Sequence, residues 1–186
     1  MPFLPSSFLR SARLLAAIVL LAPAFAAAQT QRKVGDVLSI ALPVATLATE
    51  LYRGDGDGAL AYSLTFAAAT GSTEVLKRIT QVERPDGTND LSFPSGHAAR
   101  AFSSAAYVRH RHGLTAAAPL YAAAIYVGHT RVAADRHRWI DVVGAAALAE
   151  VAAVWLVRPA GDGNTPFSWS ASLGPRHVSA VVALRW

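Results

Sequence analysis

Thr130-Arg131-Val132-Ala133-Ala134-Asp135-Arg136-His137-Arg138-Trp139-Ile140-Asp141 sets a cation, an imidazole and a carboxylate at spacings that chemistry can use. A helix over residues 139–157 puts His137 at its entrance and Asp141 about one turn further on, because residues i and i+4 share a helix face. The carboxylate can then orient the ring of His137, which leaves the second ring nitrogen to attack or to carry a proton. Arg131 supplies a planar fork suited to an anion. Taken alone, the stretch reads equally well as a basic helix entrance with a surface histidine and a dipole-favoured aspartate.

Two further stretches weigh against that plainer reading. Ser92-Phe93-Pro94-Ser95-Gly96-His97 places a hydroxyl, a glycine and a second imidazole where an alanine-rich helical run begins. Free backbone N–H groups at a helix entrance bind anions, Gly96 permits close approach, and Ser95 can cap the helix or donate to a phosphate oxygen. Upstream, Lys77 and Arg84-Pro85 stand two helical turns apart near the end of another run, so both cations can lie on one face.

In order, the chain reads Lys-x6-Arg-Pro, then Pro-Ser-Gly-His, then Arg-x5-His-x3-Asp. On these three motifs it resembles the type 2 phosphatidic acid phosphatase superfamily, which also includes bacterial acid phosphatases and vanadium haloperoxidases. The one departure is Thr130, where the family usually has serine, and the hydroxyl is retained. The resemblance implies that His137 is the nucleophile that takes the phosphoryl group, Asp141 its orienting partner and His97 the general acid for the leaving oxygen. It implies that Lys77, Arg84 and Arg131, with Ser95 and the backbone of Gly96, hold the phosphate oxygens. No metal or cofactor enters such a scheme, since phosphoryl transfer needs mainly positioning and charge stabilisation. The expected function is hydrolysis of an exported phosphate monoester or pyrophosphate, of a lipid by family resemblance. Two rivals are a vanadium-dependent haloperoxidase and an inactive phosphate-binding envelope protein.

The N-terminal segment follows the pattern of a secretory signal peptide. Arg10 and Arg13 precede an apolar run that leads through Pro23 to Ala26-Ala27-Ala28. Cleavage there is expected to leave residues 29–186 in the periplasm. Removing two arginines and no acid lowers the formal net charge from +5 to +3. This excess suits an anionic substrate or a membrane surface, and nucleic-acid motifs are missing. With no cysteine, disulfides and thiolate nucleophiles are excluded.

The expected fold is all-α, a bundle of about five main helices over residues 29–159, followed by a linker and a short β-hairpin over residues 160–186. The first helix is expected to be capped by Asp36, with Pro43 marking a kink or a later start. The second covers residues 59–82 with a break near Gly71-Ser72, the third residues 96–110 and the fourth residues 116–127. The His-rich stretch Arg109-His110-Arg111-His112-Gly113 reads as a cationic helix end rather than a metal site. His129 is a site neighbour only. Small residues in the fifth helix allow close helix approach. The apolar runs look shorter than a bilayer-spanning helix, which favours a soluble or peripheral domain over a multi-spanning one. Alternation from Val178 to Trp186, facing Phe167 to Leu173, predicts the hairpin.

Overall fold

The computed structural model describes residues 29–160 with their side chains, and residues 6–28, 167–174 and 177–184 by backbone course alone. Five helices, α1 (Ser6–Tyr52), α2 (Gly56–Thr80), α3 (Gly96–His112), α4 (Leu114–Val132) and α5 (Trp139–Leu156), are followed by strands β1 (Phe167–Gly174) and β2 (His177–Leu184). The strands pair antiparallel, from Phe167 opposite Leu184 to Gly174 opposite His177, in the region where the hairpin was expected. The side chains of this hairpin, and those of residues 1–28, where a signal peptide was expected, lie outside the described residues.

Helix α3 is central and touches each of the other four. Its packing is close because the bundle interior is built from small residues. Among the described residues, fourteen of the twenty buried apolar residues are alanine, and Tyr62, Phe102 and Tyr107 supply the bulk. Gly128 of α4 leaves no room for a side chain, since a Cβ there would meet Val142 Cγ1 at 2.5 Å. Helix axes can approach to the lower end of the usual 8–10 Å range when the contact residues are this small.

Several sequence expectations need correction. Helix α1 does not begin at Asp36; it runs unbroken through Pro43, whose ring is buried against the bundle. Tertiary packing therefore outweighs a lost backbone bond costing about 3 kcal/mol. Helix α2 is continuous past Gly71, whose Cβ position faces open space. There the residue costs only about 1 kcal/mol of helix propensity. Helix α4 starts directly after Gly113, which at φ 90° ends α3 and begins α4 in one residue, and it continues to Val132 rather than stopping at 127.

The His-rich end of α3 forms a clasp at the pole of the bundle opposite the cavity described below. Arg111 pairs with Asp55, His112 Nε2 with Glu50 Oε1 at 2.7 Å, and Arg109 and His110 both with Glu150 at 3.2 Å. These residues tie helices together. Outside the bundle, α1 and α5 present apolar side chains to solvent, among them Val37, Ile40 and Val44, and Val143, Val154 and Trp155. Contrary to the estimate from apolar runs, residues Gln29–Tyr52 and Trp139–Leu156 are both long and apolar enough to cross a membrane.

Candidate active site

The site lies where the C-terminal ends of α2 and α4 meet the N-terminal ends of α3 and α5. A cavity of about 380 Å³ there is lined by Lys77, Arg84, Gly96, His97, Arg131 and His137, so all three motifs converge. Ser95 and Asp141 are fully buried immediately behind this surface.

His137 reaches the cavity through a turn that the backbone enforces. Asp135 takes a left-handed φ of 53°, and the N–H of Arg136 closes on the carbonyl of Arg131 at 3.0 Å, which ends α4. The chain then re-enters a helix at Trp139. Asp141, in the first turn of α5, accepts the backbone N–H of Arg138 on Oδ2 at 2.8 Å, as a capping carboxylate does. The same oxygen accepts the hydroxyl of Ser92 at 2.5 Å and faces His137 Nδ1 at 3.3 Å. An ionised carboxylate only accepts, so Nδ1 carries the proton and Nε2 keeps its lone pair. The backbone carbonyl of Asp141 also accepts the N–H of Ser95 at 3.0 Å, which fastens the start of α3 to the start of α5.

Lys77 and Arg131 are each anchored to a backbone carbonyl. Lys77, 6 % exposed, donates to the carbonyl of Leu91 at 3.0 Å. Arg131, 3 % exposed, donates to Asp36 Oδ1 at 2.7 Å and to the carbonyl of Arg32 at 2.7 Å. Arg84 Nε and Ser95 Oγ are buried with no hydrogen-bond partner among the described residues. Unpaired buried donors of this kind are uncommon and costly. A Cβ at Gly96 would stand 3.9 Å from both Glu74 and Lys77, so steric fit does not demand glycine at that position.

Asp36 is the site residue that motif reading misplaced, because its expected task was only to cap a helix. Its Oδ1 is shared by Arg131 and by His97 Nε2 at 2.9 Å. Gly35 makes this possible: a Cβ there would fall 2.0 Å from Thr130 Oγ1, so only glycine lets α1 lie against α4 at this level. Arg32, Arg100 and Arg136 also face the cavity and went unrecognised, since they belong to none of the three motifs. Arg136 pairs with Asp86 at 2.6 Å, which holds that carboxyl well below the usual carboxylate range. His129 is exposed and tilts over Trp139, with ring centroids 6.4 Å apart, and does not line the cavity.

Both imidazoles are poor bases here. Burial, then the charges of Lys77 and Arg84, push His137 down to about 4 against the pull of Asp141. Burial, then Arg100 and Arg131, push His97 down to about 4 despite Asp36. Each ring is therefore neutral in the fold at pH values where an unfolded histidine, near 6.5, has already taken up a proton. The unfolded chain binds more protons between about pH 4 and 6.5, so stability falls as pH is lowered through that window. Thermal melts at pH 7 and pH 4.5 should show the lower midpoint at pH 4.5, and His137→Gln should reduce the difference. An undiminished difference in that variant would remove His137 as its source.

Residues 58–162 match the family model of the PAP2 superfamily. The chain is 34% identical over 122 residues to the lipid A 4'-phosphatase of Helicobacter pylori, a match spanning 59% of this chain and 61% of that relative. The crystal structure of Aquifex aeolicus LpxE superposes with a TM-score of 0.59 at 22% identity, over 69% of this chain and 83% of that one, and this likeness concerns the fold. With three motifs lining one cavity within a bundle of five packed helices, and a family model matching more than half its length, the chain belongs to the PAP2 superfamily, the type 2 phosphatidic acid phosphatases.

Proposed function

We propose that this protein hydrolyses the phosphate monoester of a lipid through a phosphohistidine on His137. The observation that carries the reading is a single cavity in which His137, oriented by Asp141, faces Lys77, Arg84 and Arg131. Nε2 of His137 attacks phosphorus, a P–N bond forms, and the P–O ester bond breaks with its electron pair going to the leaving oxygen. His97 supplies the proton once the substrate's negative charge, offsetting Arg100 and Arg131, lets its ring take one up, and the leaving oxygen takes over the position of Asp36 Oδ1 at His97 Nε2. Water then cleaves the P–N bond and releases phosphate. Three fixed cations with the buried hydroxyl of Ser95 stabilise the charge spread over the transferred group, so the scheme requires no metal.

A lipid substrate is favoured by the H. pylori relative, whose name states a lipid A phosphatase, and by the apolar outer faces of α1 and α5. We infer that the protein acts at a membrane after export, with Gln29–Tyr52 and Trp139–Leu156 contacting lipid. Phosphate release from a panel of lipid and soluble phosphates, with and without chelator, tests the reading. Turnover of lipid phosphates that survives chelation is the expected result. Strict dependence on a divalent ion, or activity confined to soluble esters, would overturn the mechanism or the substrate class respectively.

A further inference from the structure

Six cationic side chains face the cavity, and the three motifs account for half of them. Of the remaining three, Arg136 is neutralised by Asp86, and Arg32 is exposed at the rim. Arg100 differs from both. It lies half-buried on α3, three residues after His97, and its Nε is buried without a hydrogen-bond partner among the described residues. The cavity's own carboxylates do not pair with it: Asp36 is engaged by His97 and Arg131, and Glu74 forms no ion pair with a described residue. Leaving a guanidinium N–H buried and unpaired costs free energy, a cost that a neighbouring anion removes.

The position of Arg100 says which part of a substrate it meets. Attack comes from His137, and departure is on the side of His97. Arg100 follows His97 on the same helix, and its charge bears on that ring. We propose that Arg100 forms a second anion subsite on the leaving-group side, so that the preferred substrate carries a further anionic group beside the oxygen that departs. The inner phosphate of a lipid diphosphate has this chemistry, and so does an acid on the headgroup of a monoester. The inference rests on the phosphatase reading above.

With a diphosphate the step balances as follows. Terminal phosphorus bonds to His137 Nε2, the bond from terminal phosphorus to the bridging oxygen breaks, and the electron pair stays on the inner phosphate, which Arg100 neutralises. Water then cleaves the P–N bond and inorganic phosphate leaves. A departing phosphate is a far weaker base than an alkoxide and asks less of a proton donor. The reluctance of His97 to hold a proton suits such a leaving group.

The test measures kcat/KM for phosphate release by the full chain in detergent, on three short-chain substrates sharing one tail: a diphosphate, a plain monophosphate, and a monophosphate with a carboxylate on the neighbouring carbon. The wild type should favour at least one doubly anionic substrate over the plain monophosphate by about tenfold or more, the value of one charge-assisted hydrogen bond. Arg100→Ala should remove most of that preference and Arg100→Lys should retain part of it, with Arg100→Gln serving if the alanine variant loses its thermal transition. Preference for the diphosphate identifies an inner phosphate, and preference for the carboxylate identifies a headgroup acid. A wild type that turns over all three alike, or an equal loss on all three in Arg100→Ala, overturns the subsite alone. A wild type that hydrolyses none of them overturns the phosphatase reading and the subsite together.

Discussion

Replacing His137 by alanine is expected to lower phosphate release by about four orders of magnitude or more, the usual consequence of deleting a nucleophile that works as part of a unit. The ring is 3 % exposed, yet it hangs from a loop, and its one polar side-chain partner among the described residues is Asp141. Its loss therefore leaves a space that opens on the cavity rather than a void in the core, and the variant should keep its thermal midpoint within a few degrees. Acid quenching of the wild type during turnover of a phosphorus-labelled substrate should trap no label, because phosphohistidine is acid-labile, whereas alkaline quenching should trap it on the chain. Label retained in acid, or wild-type turnover by His137→Ala, would sink the assignment.

Asp141→Asn is expected to lower kcat by about two to four orders of magnitude, as the loss of an orienting carboxylate does elsewhere. The amide oxygen can still accept the backbone N–H of Arg138, so the start of α5 survives. The charge that fixes the proton on His137 Nδ1 and supports the ring as it becomes positive does not. Asp141→Ala separates the two tasks. It removes the cap as well and leaves the Ser92 hydroxyl and the Arg138 N–H without their acceptor. A cap is worth about 1 kcal/mol and each buried orphan about 1–3 kcal/mol. A summed loss of roughly 3 kcal/mol should lower the melting midpoint of a domain this size by about 6–12 °C. Equal melting of the two variants would mean that the capping bond contributes little.

The sequence pattern made the lining of the cavity readable because each motif is local. Ser95, Gly96 and His97 are consecutive, and His137 and Asp141 are one turn apart, so helix geometry alone gives their relations. The order of motifs then required helix ends to converge, which the five-helix arrangement satisfies. Asp36 was not readable, because it meets Arg131 across ninety-five positions of chain and only through the close approach at Gly35. Arg100 and Arg136 were hidden for a similar reason. On a helix or in a basic loop, a cation that faces a cavity has the same local pattern as one that faces solvent. The misread helix limits at Pro43 and Gly71 are cases where local preference of about 1–3 kcal/mol yields to packing along a whole helix.

An interior made so largely of alanine reverses the ordinary hierarchy of harmful substitutions. Truncation has little left to remove, whereas enlargement of a residue such as Ala99, Ala105 or Ala145 forces neighbouring rods apart at a cost of about 1–3 kcal/mol. Because Lys77, Ser95 and Arg131 stand at or near the ends of such rods, a single added methyl deep in the bundle is magnified into misalignment at the tips. Catalysis should fail in those variants before the molecule unfolds.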